Sequence, residues 1–268
     1  MNWQQQTCLL TGATGGIGEA IAQQLAEKGV RLILQGRNEQ KLTQLVNSLP
    51  GQHDILVGDI NNQNDRNRIV KHIGNWGGLT MLINNAGISE FNQFEHSNTV
   101  VLQRLIETNL TAPILLTRML LPLLKQNMNA HIINIGSTFG SIGFACHSAY
   151  CASKFGLRGF TESLQREFKG SSINVLYFAP RATNTAINSD KVVAMNRALS
   201  NKTDDPQWVA KQLLKQIEKR QTRMFLGFPE KLFVKINGAF PHLVDSALFK
   251  KLPIIKRFAA TSSKEAIS

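Results

Sequence analysis

The stretch SAYCASKFG holds Tyr150, one of two tyrosines in 268 residues, with Lys154 four places on. Four residues make one helical turn, so on a helix the phenol and the ammonium share a face. A free phenol titrates near ~10, too high for easy proton exchange at neutral pH. A neighbouring ammonium stabilises phenolate and lowers that value, each unit being worth ~1.4 kcal/mol. Such a phenol can give a proton to a carbonyl oxygen while hydride reaches the carbon. The same spacing also occurs in ordinary surface pairs, so the rest of the chain decides.

A second chemical feature lies in TGATGGIGEAIAQQLAEKG. Gly12, Gly16 and Gly18 stand between an apolar run and an amphipathic one. Glycine there lets backbone approach a pyrophosphate at the positive end of a helix. The spacing is G-x3-G-x-G rather than the dinucleotide pattern G-x-G-x-x-G. A third feature is LILQGRN, where Arg37 follows Gly36. An acidic residue at that place would bind both ribose hydroxyls of NAD, whereas a guanidinium can pair with a 2′-phosphate. The alternative is a solvent-facing arginine beside a turn.

These residues need elements to position them. Apolar runs at 7–12, 31–36, 54–59, 79–87, 130–137, 173–180 and 223–227 read as strands. Between them, 16–28, 38–48, a polar stretch, 98–125, 149–168, 185–199 and 205–220 read as helices. Strand runs without polar alternation imply burial on both faces, hence a parallel sheet covered by helices. The expected fold is α/β: a Rossmann-like, doubly wound sheet of about seven strands with a short helical C-terminal extension. The division is a catalytic domain over 1–228 and an extension over 229–268.

Three cysteines, Cys8, Cys146 and Cys151, match no zinc motif and no disulfide framework, which points to a reducing compartment and no metal. Cys8 reads as a small apolar residue of a buried strand, and Cys151 is given no role. The N-terminus lacks the pattern of a signal peptide. The apolar stretch 110–124 is too short to span a bilayer and carries Arg118, so a buried or interface helix is expected. The net charge is +12, and residues 201–268 carry thirteen Lys or Arg against six Asp or Glu. An anionic partner or a solvated surface would both explain that excess. Nucleic acid is disfavoured, because no aromatic–basic stacking pattern accompanies the charge.

Several motifs together resemble the short-chain dehydrogenase/reductase family, classical subgroup, over about residues 5–227. TGATGGIG is similar to its cofactor loop, and NNAG at 84–87 to its motif after the fourth strand. Asn109 in ETNL, Ser137 in NIGS and the YCASK segment match its catalytic positions, with Ser137 thirteen residues before Tyr150. The resemblance implies that Gly12, Thr14, Gly16, Ile17 and Gly18 hold the cofactor. Asp59 and Ile60 would flank the adenine, while Asn85, Ala86 and Gly87 line the cleft. Ser137 would donate to the substrate oxygen. Lys154 would tune Tyr150 and bond the nicotinamide ribose, and Asn109 would hold a water linking Lys154 to solvent. The family often places a basic residue in the glycine loop. Here that position is Gly15, so a preference for NADP(H) over NAD(H) rests on Arg37.

One departure stands in APRATNT. Pro180 matches the family, but Arg181 replaces its usual glycine, and Thr183 and Thr185 take the positions that bind carboxamide and pyrophosphate. Arg181 is either structural or meets an anionic group of the substrate. Beside the catalytic helix, Ser148 reads as its cap; His147 either faces the substrate or is polar surface, and both stay outside the catalytic set.

From 230 to 258, apolar residues recur at helical spacing among Lys231, Lys235, Lys250, Lys251, Lys256 and Arg257. Pro241 and Pro253 are expected to break this segment into short amphipathic helices. It could lie on a membrane, cover the substrate pocket or form a dimer contact. The expected function is NADP(H)-dependent hydride transfer to or from a hydrophobic, lipid-like carbonyl or alcohol. The expected setting is a cytoplasmic homodimer or homotetramer in peripheral contact with a membrane. A fatty acyl-thioester reductase and a catalytically silent cofactor-binding regulator are the alternatives.

Overall fold

Side chains along β1 (Thr7–Thr11) alternate between two cores: Cys8 and Leu10 point to one, Leu9 to the other. That two-sided burial recurs in β2 (Arg31–Gly36), β4 (Met81–Asn84), β5 (Ala130–Ile135) and β6 (Ile173–Ala179). It explains why these strands read as unbroken apolar runs. The computed structural model describes residues 1–260. With β3 (Asp54–Val57) and β7 (Arg223–Phe225), the strands form one sheet in the order β3-β2-β1-β4-β5-β6-β7. Every pairing is parallel.

Helices cover both faces. On one side α1 (Gly16–Glu27), α2 (Glu39–Ser48) and α8 (Pro206–Glu218) contribute Leu25, Leu42 and Leu213 to the first core. On the other, α3 (Gln63–Asn75), α5 (Ala112–Lys125) and α6 (Ser148–Glu167) contribute Ile73, Leu120 and Leu164 to the second. The expected helix over 98–125 is α4 (Thr99–Ile106) running into α5 through a widened π turn, Glu107–Thr111. The helix expected at 185–199 starts later, as α7 (Asp190–Ala198). Residues 185–189 instead cross the cleft as loop.

The extension holds α9 (Glu230–Ala239) and α10 (Pro241–Ala260). Pro241 separates them as expected, but Pro253 lies inside α10 and does not break it. Proline removes one ladder hydrogen bond, at a cost of ~3 kcal/mol in a helix interior. Burial offsets that cost, because Ile255 and Phe258 pack on Val192, Met195 and Leu199 around α7. The part of the extension past residue 260 lies outside the described residues.

Candidate active site

Strand order reverses at β1, whose neighbours are β2 and β4. In open parallel sheets, ligands settle at the carboxyl ends of the strands beside such a reversal. A cavity of about 910 Å³ lies there.

One end is built from the glycine loop. Gly12 adopts φ +62, and a Cβ on it would stand 2.7 Å from the Cα of Ala86. A Cβ on Gly16 would stand 2.6 Å from Cγ2 of Thr185. Asn85 Nδ2 donates to the carbonyls of Thr11 at 3.1 Å and Gly12 at 3.0 Å. The Thr11 hydroxyl accepts from the N–H groups of Asn85 and Ala86. Asn85 therefore acts first on the loop, fixing its path, and Ala86 supplies the surface against which Gly12 packs. No side chain caps the start of α1, which leaves its first N–H groups for an anion.

Thr14, Ile17 and Gly18 line the cavity here, and Arg37, Asp59 and Ile60 line it further along. Arg37 is exposed and has no ion-pair partner among the described residues. Asp59 pairs with Arg104 at 3.2 Å and accepts from the Asn61 N–H at 3.0 Å. An uncapped helix start, a side-chain-free loop and an exposed guanidinium fit a phosphorylated dinucleotide.

The other end carries the chemistry. Ser137 follows β5 and accepts from the Phe139 N–H at 3.1 Å. Its backbone is held by the second tyrosine: the Tyr177 hydroxyl accepts from the Ser137 N–H (3.5 Å) and donates to its carbonyl (3.3 Å). Tyr150 and Lys154 stand one turn apart on α6, both lining the cavity. Lys154 Nζ donates to the Ile135 carbonyl at 2.9 Å and sits 5.8 Å from the centre of the Tyr150 ring.

Burial governs both groups. It pushes the Tyr150 phenol up to about 12, with the Ser137 hydroxyl opposing that shift and the neighbouring Cys151 adding to it. It also pushes the Lys154 ammonium down to about 8. Desolvation disfavours phenolate and ammonium alike, and it is the largest influence on each.

Asn109 does not line the cavity. It is fully buried in the π turn, where its side chain accepts from the Ile88 N–H (2.8 Å). The same side chain donates to the Ile88 carbonyl (2.9 Å) and to Ser153 Oγ (3.1 Å). These bonds tie the segment after β4 to α6. Gly87 faces the Asn109 amide and Lys154 Nζ across a short gap.

Pro180, Thr183 and Thr185 border the same cavity. Arg181 borders it too, and its guanidinium is held in a half-buried ion cluster. Its guanidinium donates to both oxygens of Asp204, at 2.7 and 3.0 Å, and to Glu230 at 3.2 Å. Both readings of Arg181 therefore stand: Asp204 and Glu230 hold it structurally, and it also borders the cavity.

Other residues around the site are left open or without a role by the sequence. His147 is 4% exposed rather than polar surface, and it packs on Phe91, Phe139, Phe144 and Tyr150. Burial pushes its imidazole down to about 4. It occupies the position before α6, and Ser148, expected to cap, is the helix's first residue and makes no capping bond. Cys151, given no role, props the loop above the site by accepting from the Phe144 N–H. Phe233, Val244 and Leu248 of the extension also line the cavity. Their helical spacing is visible in the sequence, and their place in the lining fits its reading as a cover over the substrate pocket. Among the described residues, no cluster of His, Cys, Asp and Glu could hold a metal.

The family model described as short chain dehydrogenase matches residues 6–196. The chain belongs to the short-chain dehydrogenase family. As a member it is an oxidoreductase acting on CH–OH or C=O groups with a nicotinamide cofactor. A ketoacyl reductase of Nostoc sp., HetN, is 30% identical over 227 residues, covering 83% of this chain and 78% of the relative. The 3-oxoacyl-[acyl-carrier-protein] reductase FabG of Vibrio cholerae is 31% identical over 216 residues, covering 78% and 88%. A solved short-chain dehydrogenase from Sphingobium yanoikuyae, in complex with NADPH, superposes with a TM-score of 0.77. It is 25% identical, with 90% of this chain and 95% of that one covered.

Proposed function

We propose that this short-chain dehydrogenase transfers hydride between NADP(H) and a hydrophobic, lipid-like carbonyl or alcohol, with Tyr150 as general acid and base. The observation that carries the reading is a single cavity lined by the glycine loop, by Ser137, Tyr150 and Lys154, and by apolar side chains.

Bound reduced nicotinamide supplies the hydride. Ser137 and Tyr150 both aim hydroxyls at the substrate oxygen, where negative charge develops. A phenol near 12 is fully protonated at neutral pH, the state required of an acid. Lys154, at about 8, is mostly ammonium there and stabilises the phenolate left behind. The Asn109 side chain is engaged by Ile88 and Ser153, so the widened backbone of its turn, rather than its amide, holds the water that returns a proton to Lys154. Arg37 selects the 2′-phosphate, a preference supported by the NADPH-bound structural relative.

The ketoacyl substrates in the relatives' names support a lipid-like carbonyl compound, as does the wall of Phe139, Phe144, Met195 and Leu248. The described part of the extension, 229–260, acts as the lid of this pocket, and its basic residues fit contact with a membrane surface. Exposed Val100, Val101, Leu115 and Phe155 give α4, α5 and α6 an apolar face for a second copy of the chain. Three free thiols fit a reducing, cytoplasmic setting.

The test is NADPH oxidation over carbonyl compounds of increasing chain length, with Tyr150→Phe as control. Turnover should rise with chain length and fall by about 10²–10⁴ in the variant, whose NADPH affinity should persist. Undiminished turnover by Tyr150→Phe would refute the assignment. Free thiol released from an acyl thioester would instead mark aldehyde formation.

A further inference from the structure

We propose that α9 and α10 seat the chain on an anionic phospholipid bilayer with the mouth of the catalytic cavity turned toward the lipid. The docking rests on the surface itself; that the bilayer also delivers the substrate rests on the reductase reading.

Between residues 228 and 249, Phe228 is 73% exposed, Leu232 46%, Phe240 58%, Leu243 54% and Phe249 66%. Soluble monomers rarely gather so many large apolar side chains in one stretch of surface. The patch is continuous with the cavity. Phe228 and Phe233 are exposed and also line it, and Val244, Ala247 and Leu248 line it from the inner face of α10. An apolar path therefore leads from the outer surface to the neighbourhood of Tyr150.

The charge around the patch is of one sign. Lys231, Lys235, Lys250 and Lys256 are exposed. Of the two acidic residues in 228–260, Glu230 is held by Arg181, which leaves Asp245. Apolar tips among lysines match the boundary between acyl chains and anionic headgroups. A symmetric contact with a second copy would bring these lysines against one another, and the α4–α6 face already offers an apolar surface without them. No helix among the described residues is long and apolar enough to cross a membrane, so the segment lies on the bilayer.

The full chain would be sedimented with phosphatidylcholine vesicles, with and without about a third of phosphatidylglycerol. Binding is expected with the anionic vesicles only and should fall as salt rises. Each of Lys231→Gln, Lys235→Gln and Lys250→Gln should weaken partitioning about fivefold, the equivalent of ~1 kcal/mol per lysine. The triple variant Phe240→Ser, Leu243→Ser, Phe249→Ser should weaken it at least as much. None of these residues lines the cavity, so NADPH oxidation with a small water-soluble ketone should be unchanged. Turnover of a bilayer-dissolved carbonyl should fall with vesicle binding.

Wild-type chain that ignores anionic vesicles, or triple variants that bind as well as wild type, would overturn the proposal. So would variants that dissociate an oligomer in light scattering while wild type leaves vesicles alone, since the patch would then join copies of the chain. Vesicle binding without any NADPH oxidation would refute the reductase reading and leave the docking intact.

Discussion

Replacing Arg181 with glycine, the residue the family usually carries there, should destabilise this chain. The guanidinium grips Asp204 with two bonds, at 2.7 and 3.0 Å, and Glu230 with a third at 3.2 Å. The side chains of Arg181 and Asp204 are only 13% and 8% exposed. Removing the cation leaves the Asp204 carboxylate enclosed without a counter-charge. Breaking a buried pair costs ~3–5 kcal/mol, and water entering the space left by arginine reduces that, so about 3 kcal/mol is expected. One kcal/mol moves the midpoint of a domain this size by ~2–4 °C, which gives a fall of about 6–12 °C. Asp204 also closes the loop that presents Thr183 and Thr185, through backbone bonds with Ala182 and Asn184. Thermal melting of Arg181→Gly, Asp204→Asn and the double variant measures the coupling. The double variant should recover at least ~1 kcal/mol relative to the sum of the singles. Release of Glu230 at the start of α9 should also raise KM for hydrophobic substrates more than it lowers kcat. An Arg181→Gly chain melting within ~1 °C of wild type, or additive single effects, would refute the reasoning.

Two further outcomes follow from the same geometry. Arg37→Ala should raise KM for NADPH about ten- to a hundredfold, the value of a charge-assisted bond of ~1.5–3 kcal/mol, and leave KM for NADH unchanged; steady-state kinetics with both cofactors decide it. His131 and His147 are buried, and their imidazoles are pushed down to about 4. In the unfolded chain they bind protons below about 6.5, so falling pH favours unfolding between about 6.5 and 4. At pH 5 the loss is about 2 kcal/mol for each. Urea unfolding at pH 7.5 and 5 should show it, and His131→Asn should flatten the dependence; an unchanged slope in that variant would contradict the burial argument.

What the sequence displayed and what it hid divide along physical lines. The sheet was legible because burial on both faces writes itself into contiguous runs such as Cys8–Leu10 and Ile132–Ile133. The glycine loop was legible because a tight strand-to-helix passage requires residue types as well as pattern. Pro253 misled because a local rule about helix interiors yields to burial of Ile255 and Ala259, which depends on α7 some sixty residues earlier. Arg181 stayed ambiguous for a similar reason: its partners are 23 and 49 residues away along the chain. His147 stayed open between facing the substrate and polar surface, since the rings that enclose it come from separate segments.

The Tyr150–Lys154 pair shows how the same limit reaches the chemistry. In water, lysine binds its proton slightly more tightly than phenolate does. Enclosure penalises each charge and so reverses the order, with the phenol near 12 and the ammonium near 8. Before hydride transfer, the proton therefore belongs on the phenol, where a carbonyl oxygen needs it. In the reverse direction the phenolate must form, and a positive charge brought beside the pair lowers the phenol again. Adjacency of a tyrosine and a lysine in one helical turn cannot convey that directionality. It arises from the burial of the two groups, which the Ser137 hydroxyl only partly offsets at the phenol.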